Sequence, residues 1–381
     1  MIKKWIICLC AIAILCPLHS VYATNLKLAP NAGATVLMEA TSKEILYDDH
    51  GKEKLYPAST TKIMTMILLF EAINNKKLKW DDILTCSAYA SSMGGSQIYL
   101  EEGEQMSVAD LFKAISIASA NDACVMVGER IAGSHDNFVS MMNQKAKSLK
   151  LVNTHFVNPT GLHDENHYTC ALDLATMAAY LIEIGGQRLL ETTSLYDCYI
   201  RENTVQKFWL VNTNKLLKSY PGVDGLKTGY TKEAGYCMVA TAKRDGLRLI
   251  SVVMKESEPK VRNQEISQVL DYGFSLFESA TLFQKGEVIE KREVLHSKQD
   301  EVNIIPLNDI TYVIDKNKES QISYDIHYHS LVAPMKNGDV IGELVLKKDN
   351  EIIGRYPLTC LEDIESLSFL EKVMIELKNF I

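Results

Sequence analysis

The stretch LYPASTTKIMTMILLF, residues 55–70, places Ser59 immediately before a long apolar run. From Lys62 to Ala72 the residues are apolar on nearly every side, which predicts a helix buried in the core of a domain. Ser59 stands before that helix, where serine is a common cap. Ser59 and Lys62 also share one helical face, so the lysine amine can reach the serine hydroxyl. The stretch is therefore typical of an ordinary helix start and also of a serine nucleophile with a lysine base.

The catalytic interpretation depends on Lys62. A buried lysine has a lowered pKa and can take a proton from a nucleophile. The N-terminus of a helix adds partial positive charge where an oxyanion would form. The spacing alone is weak evidence, because Ser257 and Lys260 repeat it in SEPK. We interpret that second copy as chance, since its proline and flanking charges fit a loop or a helix start.

Two further motifs lie downstream of Ser59. S-A-N occupies residues 119–121 and K-T-G occupies residues 227–229. Taken singly, Ser119 and Asn121 are typical helix caps and K-T-G fits a plain strand end. In this order, however, S-x-x-K, S-x-N and K-T-G form the pattern of serine acyltransferases that react with penicillin. The three motifs together favour catalysis.

The motifs belong to six longer stretches: PASTTKIMT, GGSQIYLEEGEQMSVADLF, SANDA, HFVNPTGLHDENHYTCALDLA, DGLKTGYT and APMKNGDVIGELVL. On these stretches the chain resembles the type-5 group of low-molecular-mass penicillin-binding proteins. These are serine-type D-alanyl-D-alanine carboxypeptidases of the peptidase S11 type. The resemblance covers nearly all of the chain after residue 23. It implies an α+β fold: a β-lactamase/transpeptidase-like domain with an antiparallel sheet covered by helices, then a small all-β domain.

The resemblance implies a role for each catalytic residue. Ser59 would attack the carbonyl between two D-alanines, and water would later release the acyl group. Lys62 would take the serine proton. Ser119 would relay a proton to the leaving amine, while Asn121 would hold Lys62 and the substrate amide. Cys124 follows closely, which predicts thiol reactivity near the site.

The resemblance also implies how substrate is held. Lys227 and Thr228 would bind the terminal carboxylate, a contact that suits an ammonium and a hydroxyl. Gly229 would let the substrate lie along the strand as an added β-partner. Backbone N–H groups of Ser59 and Tyr230 would form the oxyanion hole. The implied partners are a peptidoglycan stem peptide ending in D-Ala-D-Ala and β-lactams as covalent inhibitors, with no cofactor.

Two enzyme alternatives share this fold and these motifs. A serine β-lactamase needs an extra base for deacylation, and Glu165 is not a convincing one. A D,D-endopeptidase that cuts cross-links stays open. A non-catalytic β-lactam sensor is a third alternative, but such sensors usually carry transmembrane helices and a cytoplasmic output region.

Periodicity outlines the domains. Residues 34–49 predict two strands around a turn, and residues 234–255 predict a hairpin with a turn at Asp245-Gly246. These first and last strands are expected to pair in one antiparallel sheet, with helices between them in sequence. The predicted helices cover 107–131 (broken around S-A-N-D), 138–151, 171–185 (ended by Gly185-Gly186) and 260–280.

Four segments are expected along the chain. Residues 1–23 read as a signal peptide, residues 24–280 as the penicillin-binding domain and residues 281–360 as a small β-sandwich. Residues 361–381 predict an amphipathic tail helix, which would lie in the membrane interface or pack on the protein. Its apolar stripe comprises Leu361, Ile364, Leu367, Leu370, Val373 or Met374, Leu377 and Phe380.

The first 23 residues combine Lys3 and Lys4 with the apolar stretch WIICLCAIAIL and end at Ala23. This pattern predicts export and cleavage after Ala23, although a retained N-terminal anchor is the alternative. The protein is then expected outside the cytoplasm, on the outer face of the cytoplasmic membrane. The six cysteines beyond this segment are widely scattered, which favours buried free thiols over a disulfide framework.

Composition excludes other partner classes. The 381 residues are 47% hydrophobic and carry a net charge of −8, which argues against nucleic acid as a main partner. His163 and His167 flank acidic residues in HDENH but lack the spacing of a zinc protease helix. His327 and His329 alternate on a predicted strand, where a surface pair is expected. No metal site is predicted.

Overall fold

The coordinates are a computed structural model that describes residues 26–202, 204–329 and 331–378. Helices and strands alternate up to residue 276, and strands dominate beyond it. The proposed signal peptide lies outside the described residues. The helices are α1 (Lys62–Asn74), α2 (Ala88–Ser91), α3 (Val108–Lys113), α4 (Asn121–Ala132), α5 (His135–Ser148), α6 (Ala171–Thr193), α7 (Leu216–Ser219), α8 (Pro259–Leu276) and α9 (Phe369–Lys378).

The first region is built on an antiparallel sheet of order β2-β1-β9-β8-β7. As predicted, its first and last strands pair: Val36 of β1 lies opposite Val252 of β9. Two short hairpins, β3-β4 and β5-β6, lie outside this sheet. The strands are β1 (Ala34–Glu39), β2 (Ile45–Asp49), β3 (Ile83–Thr85), β4 (Gln105–Ser107), β5 (Asp197–Ile200), β6 (Phe208–Val211), β7 (Val223–Thr231), β8 (Gly235–Arg244) and β9 (Leu247–Glu256).

Helices cover both faces of this sheet. Val36 and Met38 of β1 point to the face that packs with α1, α4 and α6. Leu37, between them, points to the opposite face and packs with α8. Successive side chains of a strand alternate between faces, so a strand with apolar residues at every position is buried on both sides. The predicted α+β architecture is confirmed.

Local chemistry explains the breaks between elements. The β8–β9 turn has Asp245 at φ 48° and Gly246 at φ 85°, the paired positive angles of a tight hairpin turn. Helix α6 does not stop at the double glycine, as the sequence predicts, but runs on to Thr193. Gly186, at φ 49° and ψ −141°, instead kinks it. Glycine tolerates this conformation, so a second helical segment can follow directly.

The C-terminal region is all-β, as predicted, but begins earlier. Helix α8 ends at Leu276 rather than at 280, and β10 pairs at once with β13. The remaining strands form a sheet of order β11-β12-β16-β15-β14 with its own apolar core. The strands are β10 (Phe277–Phe283), β11 (Glu290–Arg292), β12 (Val302–Pro306), β13 (Ile310–Asp315), β14 (Ile322–Tyr328), β15 (Gly342–Lys348) and β16 (Glu351–Cys360).

The tail is only partly helical. Helix α9 begins at Phe369 rather than at 361. Ile364, expected on the helical stripe, bridges to Met335 and is buried in the core of the small domain. Phe380 lies outside the described residues. In the part of the chain that the structure describes, no helix is both long and apolar enough to cross a bilayer.

Candidate active site

Ser59 lies in a 3₁₀ turn, Ala58–Thr61, that leads directly into α1. Its side chain makes no capping hydrogen bond to the helix backbone. Lys62 opens α1, and its Nζ donates to Ser59 Oγ at 2.9 Å. The capping interpretation of Ser59 is therefore wrong, and the hydroxyl and amine are in direct contact.

Lys62 is fully buried, and its amine has three acceptors. Besides Ser59, Nζ donates to Asn121 Oδ1 at 2.7 Å and to the Thr160 carbonyl at 2.6 Å. Burial lowers the pKa of Lys62 from 10.5 to about 8, against a smaller opposing effect of Cys124 and Asp122. About one tenth of the amine is then neutral at pH 7. A neutral amine beside a hydroxyl can act as a base.

The S-x-N motif follows a helical irregularity. A π-helical turn, Ala114–Ala118, ends at Ser119, whose φ of 65° is left-handed. The Ser119 hydroxyl is buried and has no hydrogen-bond partner among the described residues. Asn121 opens α4 without capping it, and its Nδ2 donates to the Gly94 carbonyl at 2.7 Å. Gly94 thereby orients the amide oxygen towards Lys62.

The K-T-G motif lies on β7, beside the serine turn. Lys227 is 1% exposed, and burial, followed by the charge of Lys62, holds its pKa well below the usual range. Thr228 Oγ1 donates to Thr213 Oγ1 at 2.7 Å. Among the residues that the structure describes, no carboxylate bonds to either buried amine, so an anion in the site would stabilise both charges.

Gly229 is required by the closeness of two backbones. A Cβ at this position would lie 2.9 Å from both the Pro57 carbonyl oxygen and the Ser59 nitrogen. Only glycine lets β7 approach the serine turn so closely. Tyr230 follows, half exposed, with its ring stacked on that of Tyr236 at 4.2 Å.

These elements border an open cleft of about 580 Å³. Ser59, Ser119, Thr228, Gly229 and Tyr230 line it directly. Lys62 and Asn121 reach it through their bonds to Ser59 and to each other, and Lys227 lies beside Thr228. The structure thus brings together every residue that the sequence motifs single out. Additional lining residues are Ser96, Thr213, Lys215, Tyr236, Pro259, Lys260, Arg262 and Asn263.

Several groups that shape the active site could not be recognised from the sequence. The Thr160 carbonyl binds Lys62, and a backbone acceptor cannot be read from residue type. Its loop is held by Gly161, at φ 84°, where a Cβ would lie 1.8 Å from the Ala58 carbonyl oxygen. Asp122 accepts backbone N–H bonds from Ile98 and Leu100, both at 3.1 Å, and so fixes the loop that carries Ser96. For the Thr160 loop, the sequence N-P-T-G at residues 158–161 did indicate a tight turn.

The HDENH stretch, residues 163–167, contributes hydrogen bonds that support the fold. His167 is buried, and its Nδ1 accepts the Val157 N–H at 3.1 Å. Nε2 lies 2.7 Å from Thr61 Oγ1, one residue before Lys62. Burial lowers the pKa of His167 to about 4, so the ring is neutral. Across residues 26–202, 204–329 and 331–378, no cluster of three or more His, Cys, Asp or Glu side chains could hold a metal ion.

The cysteines do not extend the site. All six described cysteines are free, and all but the half-buried Cys198 are buried. Burial raises the pKa of Cys124 to about 11, so its thiol stays protonated and unreactive. The expected thiol reactivity is therefore wrong. In the second S-x-x-K copy, Pro259 opens α8 and Lys260 lines the far wall of the cleft.

Comparisons with known proteins agree with this geometry. A family model described as D-alanyl-D-alanine carboxypeptidase matches residues 22–258. The D-alanyl-D-alanine carboxypeptidase DacF of Bacillus subtilis is 43% identical over 93% of this chain and 92% of its own length. The chain belongs to the D-alanyl-D-alanine carboxypeptidase family.

Solved structures extend the comparison to most of the carboxypeptidase chain, including its C-terminal region. Penicillin-binding protein 5 from Haemophilus influenzae is 33% identical, with a TM-score of 0.69, and covers 88% of this chain and 98% of its own. A second family model, penicillin-binding protein 5, C-terminal domain, matches residues 277–366, where β10 begins. The chain is therefore a serine-type carboxypeptidase with the two-domain build of these relatives. The matches support neither a β-lactamase nor an endopeptidase.

One structural relative carries a bound β-lactam. Penicillin-binding protein D2 from Listeria monocytogenes was solved in an ampicillin-bound form. It is 33% identical, has a TM-score of 0.58 and covers 64% of this chain and 98% of its own. The similarity is confined to about two thirds of the carboxypeptidase chain.

Proposed function

We propose that this carboxypeptidase removes the terminal D-alanine from peptidoglycan stem peptides through an ester on Ser59. The 2.9 Å contact between Lys62 Nζ and Ser59 Oγ is the observation that carries the proposal. A buried amine with a pKa of about 8 is poised to take the serine proton near neutral pH. Membership in the D-alanyl-D-alanine carboxypeptidase family indicates D-Ala-D-Ala as the substrate.

Acylation proceeds in balanced steps. Neutral Lys62 takes the Ser59 proton as Oγ bonds to the carbonyl carbon between the two D-alanines. The oxyanion that forms accepts hydrogen bonds from the N–H groups of Ser59 and Tyr230, each worth about 3–4 kcal/mol of barrier. The C–N bond then breaks, and the leaving amine takes a proton through Ser119, whose hydroxyl has no other described partner.

The substrate carboxylate binds Lys227 and Thr228. Burial and the charge of Lys62 lower the pKa of Lys227, and an entering carboxylate would stabilise the protonated form of this amine through a charge-assisted hydrogen bond. The peptide lies along β7 at Gly229, where no side chain obstructs it. Asn121 holds Lys62 in place and presents its amide to the substrate.

Water completes the cycle by hydrolysing the Ser59 ester. β-Lactams acylate the same hydroxyl, by analogy with the ampicillin-bound relative. Glu165 is exposed on the loop after Gly161 and makes no side-chain bond in the described part that would position it as a deacylating base. We expect a penicilloyl ester that lasts minutes or longer.

The test of this function uses free D-alanine as its readout. The protein without residues 1–23 is incubated with a diacyl tripeptide ending in D-Ala-D-Ala. Release of D-alanine is expected, and Ser59→Ala should abolish it. Ser257→Ala, in the second S-x-x-K copy, is the matched control and should retain full activity. Mass spectrometry after benzylpenicillin should show one adduct, on Ser59; an intact, folded protein without that adduct contradicts the proposal.

We further propose that the enzyme is exported and works on the outer face of the cytoplasmic membrane. The lysine-flanked apolar N-terminus supports export. In α9, Phe369, Leu370 and Met374 are 78%, 75% and 62% exposed, an apolar surface suited to a membrane interface. The acidic residues of the tail oppose binding to anionic lipids, so apolar contact supplies the attraction.

Deleting residues 369–381 tests the membrane contact. We expect the exported, shortened protein to move from the membrane fraction to the soluble fraction while keeping its activity on soluble peptide. Phe369→Ser with Leu370→Ser should reproduce the shift without shortening the chain. Equal membrane recovery of intact and shortened proteins would show that the tail is not the anchor.

A further inference from the structure

A pair of buried glutamates lies behind the cleft and takes no part in the mechanism above. Glu256 ends β9 and Glu265 lies in α8, and they are 1% and 3% exposed. Their carboxyls are within hydrogen-bonding reach of each other. Two carboxylates this close cannot both stay ionised in a buried site.

Hydrogen bonds show where a shared proton belongs. Glu265 Oε1 accepts the backbone N–H of Asn31 at 3.1 Å and its side-chain amide at 2.7 Å. Glu256 Oε2 accepts the Ser257 N–H at 3.3 Å. The other two oxygens, Glu256 Oε1 and Glu265 Oε2, are buried and lack partners in the described part of the chain. One proton between them satisfies both.

The proton resides on Glu256. Two donors from Asn31 stabilise negative charge on Glu265, whereas Glu256 accepts only one long bond. Burial, and then the neighbouring Glu265, raise the pKa of Glu256 to about 8. Glu256 is therefore the proton donor of the pair, and Glu265 is the acceptor.

Other charged groups on the adjoining elements do not neutralise the pair. Lys255 of β9 and Lys260 of α8 are exposed. Arg262 of α8 directs its guanidinium to Asn263 Oδ1 at 2.8 Å. Tyr236 of β8 lies opposite Glu256 in the sheet register and lines the cleft. Among the described residues, none of these side chains bonds to either carboxyl.

The pair joins the two sides of a short connection that borders the cleft. Glu256 is the last residue of β9, and α8 begins three residues later at Pro259. Pro259, Lys260, Arg262 and Asn263, all ahead of Glu265, form one wall of the cleft. A change in the distance between β9 and α8 would move that wall.

We propose that one proton shared by Glu256 and Glu265 holds the α8 wall of the cleft in place, and that its loss in alkaline solution weakens substrate binding. Removing the proton leaves two adjacent buried negative charges, which repel and separate α8 from β9. The pair acts through the cleft wall, so both glutamates are positioning residues. The effect on substrate rests on the proposed function; the effect on stability does not.

Glu256→Gln tests the shared proton without substrate. Its amide donates permanently to Glu265 Oε2, so the hydrogen bond stays and the titration disappears. In the wild type, folding raises the pKa of Glu256. The stability of the wild-type protein therefore falls as the pH rises from about 5 to about 8. Between about pH 5 and pH 9, the wild-type Tm should fall roughly 5 °C further than that of Glu256→Gln. Exposed Glu258→Gln should follow the wild type.

Two further readouts complete the test. The KM for a D-Ala-D-Ala peptide should rise several-fold from about pH 7 to about pH 9 in the wild type and stay flat in Glu256→Gln, while kcat follows the same pH profile in both proteins. Infrared difference spectra of the wild type should show a protonated carboxyl band that disappears over the same range. Parallel Tm curves, or no such band, overturn the shared proton. Equal KM profiles with divergent Tm curves overturn the role in the cleft wall.

Discussion

At the scale of single residues, the site depends on the burial of one amine. Lys62 is surrounded by acceptors from three parts of the chain, at 2.6–2.9 Å. The spacing from Ser59 predicted the first contact, and the family resemblance implied the second, between Lys62 and Asn121; both involve side chains, whose types can be read from the sequence. The third acceptor, the Thr160 carbonyl, could not be predicted, since every residue carries a carbonyl.

Lys62→Arg should remove the base while keeping the charge. A guanidinium cannot lose its proton in this pH range, so acylation should slow by about 10²–10⁴-fold at all pH values. In the wild type, kcat for D-alanine release should rise with pH as the neutral amine accumulates, and level off above about pH 8. The pH profile of D-alanine release checks both expectations.

A flat wild-type kcat profile from about pH 6 to about pH 9 would show that Lys62 is not the titrating base. So would an arginine variant that keeps most of its activity at neutral pH. The thermal unfolding of Lys62→Arg must be cooperative for the comparison to count, because the wider side chain enters a fully buried site.

At the scale of elements, the site is the meeting point of a turn, a strand and a helix start. The sequence predicted α1, the β8–β9 hairpin and the break near Ser119, since apolar periodicity and turn residues mark each of them. It did not predict the π-helical turn before Ser119 or the entry of α8 residues into the cleft wall. Those features arise from packing between distant segments, which local patterns do not report.

Gly229→Ala should separate β7 from the serine turn. The added methyl would lie 2.9 Å from the backbone of Pro57 and Ser59, and backbone atoms cannot move aside as a side chain would. A displacement of Ser59 by a few tenths of an ångström to 1 Å should cost up to about 10²-fold in kcat/KM. Benzylpenicillin acylation should slow in parallel. Unchanged acylation in the folded variant would refute the tight fit.

At the scale of the whole molecule, the two regions meet through an ion pair. Lys348 Nζ of β15 lies 3.0 Å from Glu44 Oε1, just before β2, and 3.2 Å from the Val313 carbonyl. The other oxygen of Glu44 is buried without a described partner. The composition shift near residue 281 predicted a separate C-terminal unit, but nothing local in sequence pairs residues 304 positions apart.

Lys348→Met should loosen this junction while leaving the catalytic residues untouched. Removing one partner of a largely buried pair leaves the Glu44 carboxylate without its counter-charge, which should cost about 1–3 kcal/mol in the free energy of unfolding.

Lys347→Met is the matched control, because the adjacent Lys347 pairs with Asp325 inside the small domain at a more exposed position, where about 1 kcal/mol or less is expected. Denaturant unfolding and limited proteolysis between the regions measure the effect. D-Alanine release from a soluble peptide should be unchanged in both variants, since Ser59, Lys62 and their partners all precede residue 276. Equal stability loss in the two variants would show that the Glu44–Lys348 contact does not hold the regions together.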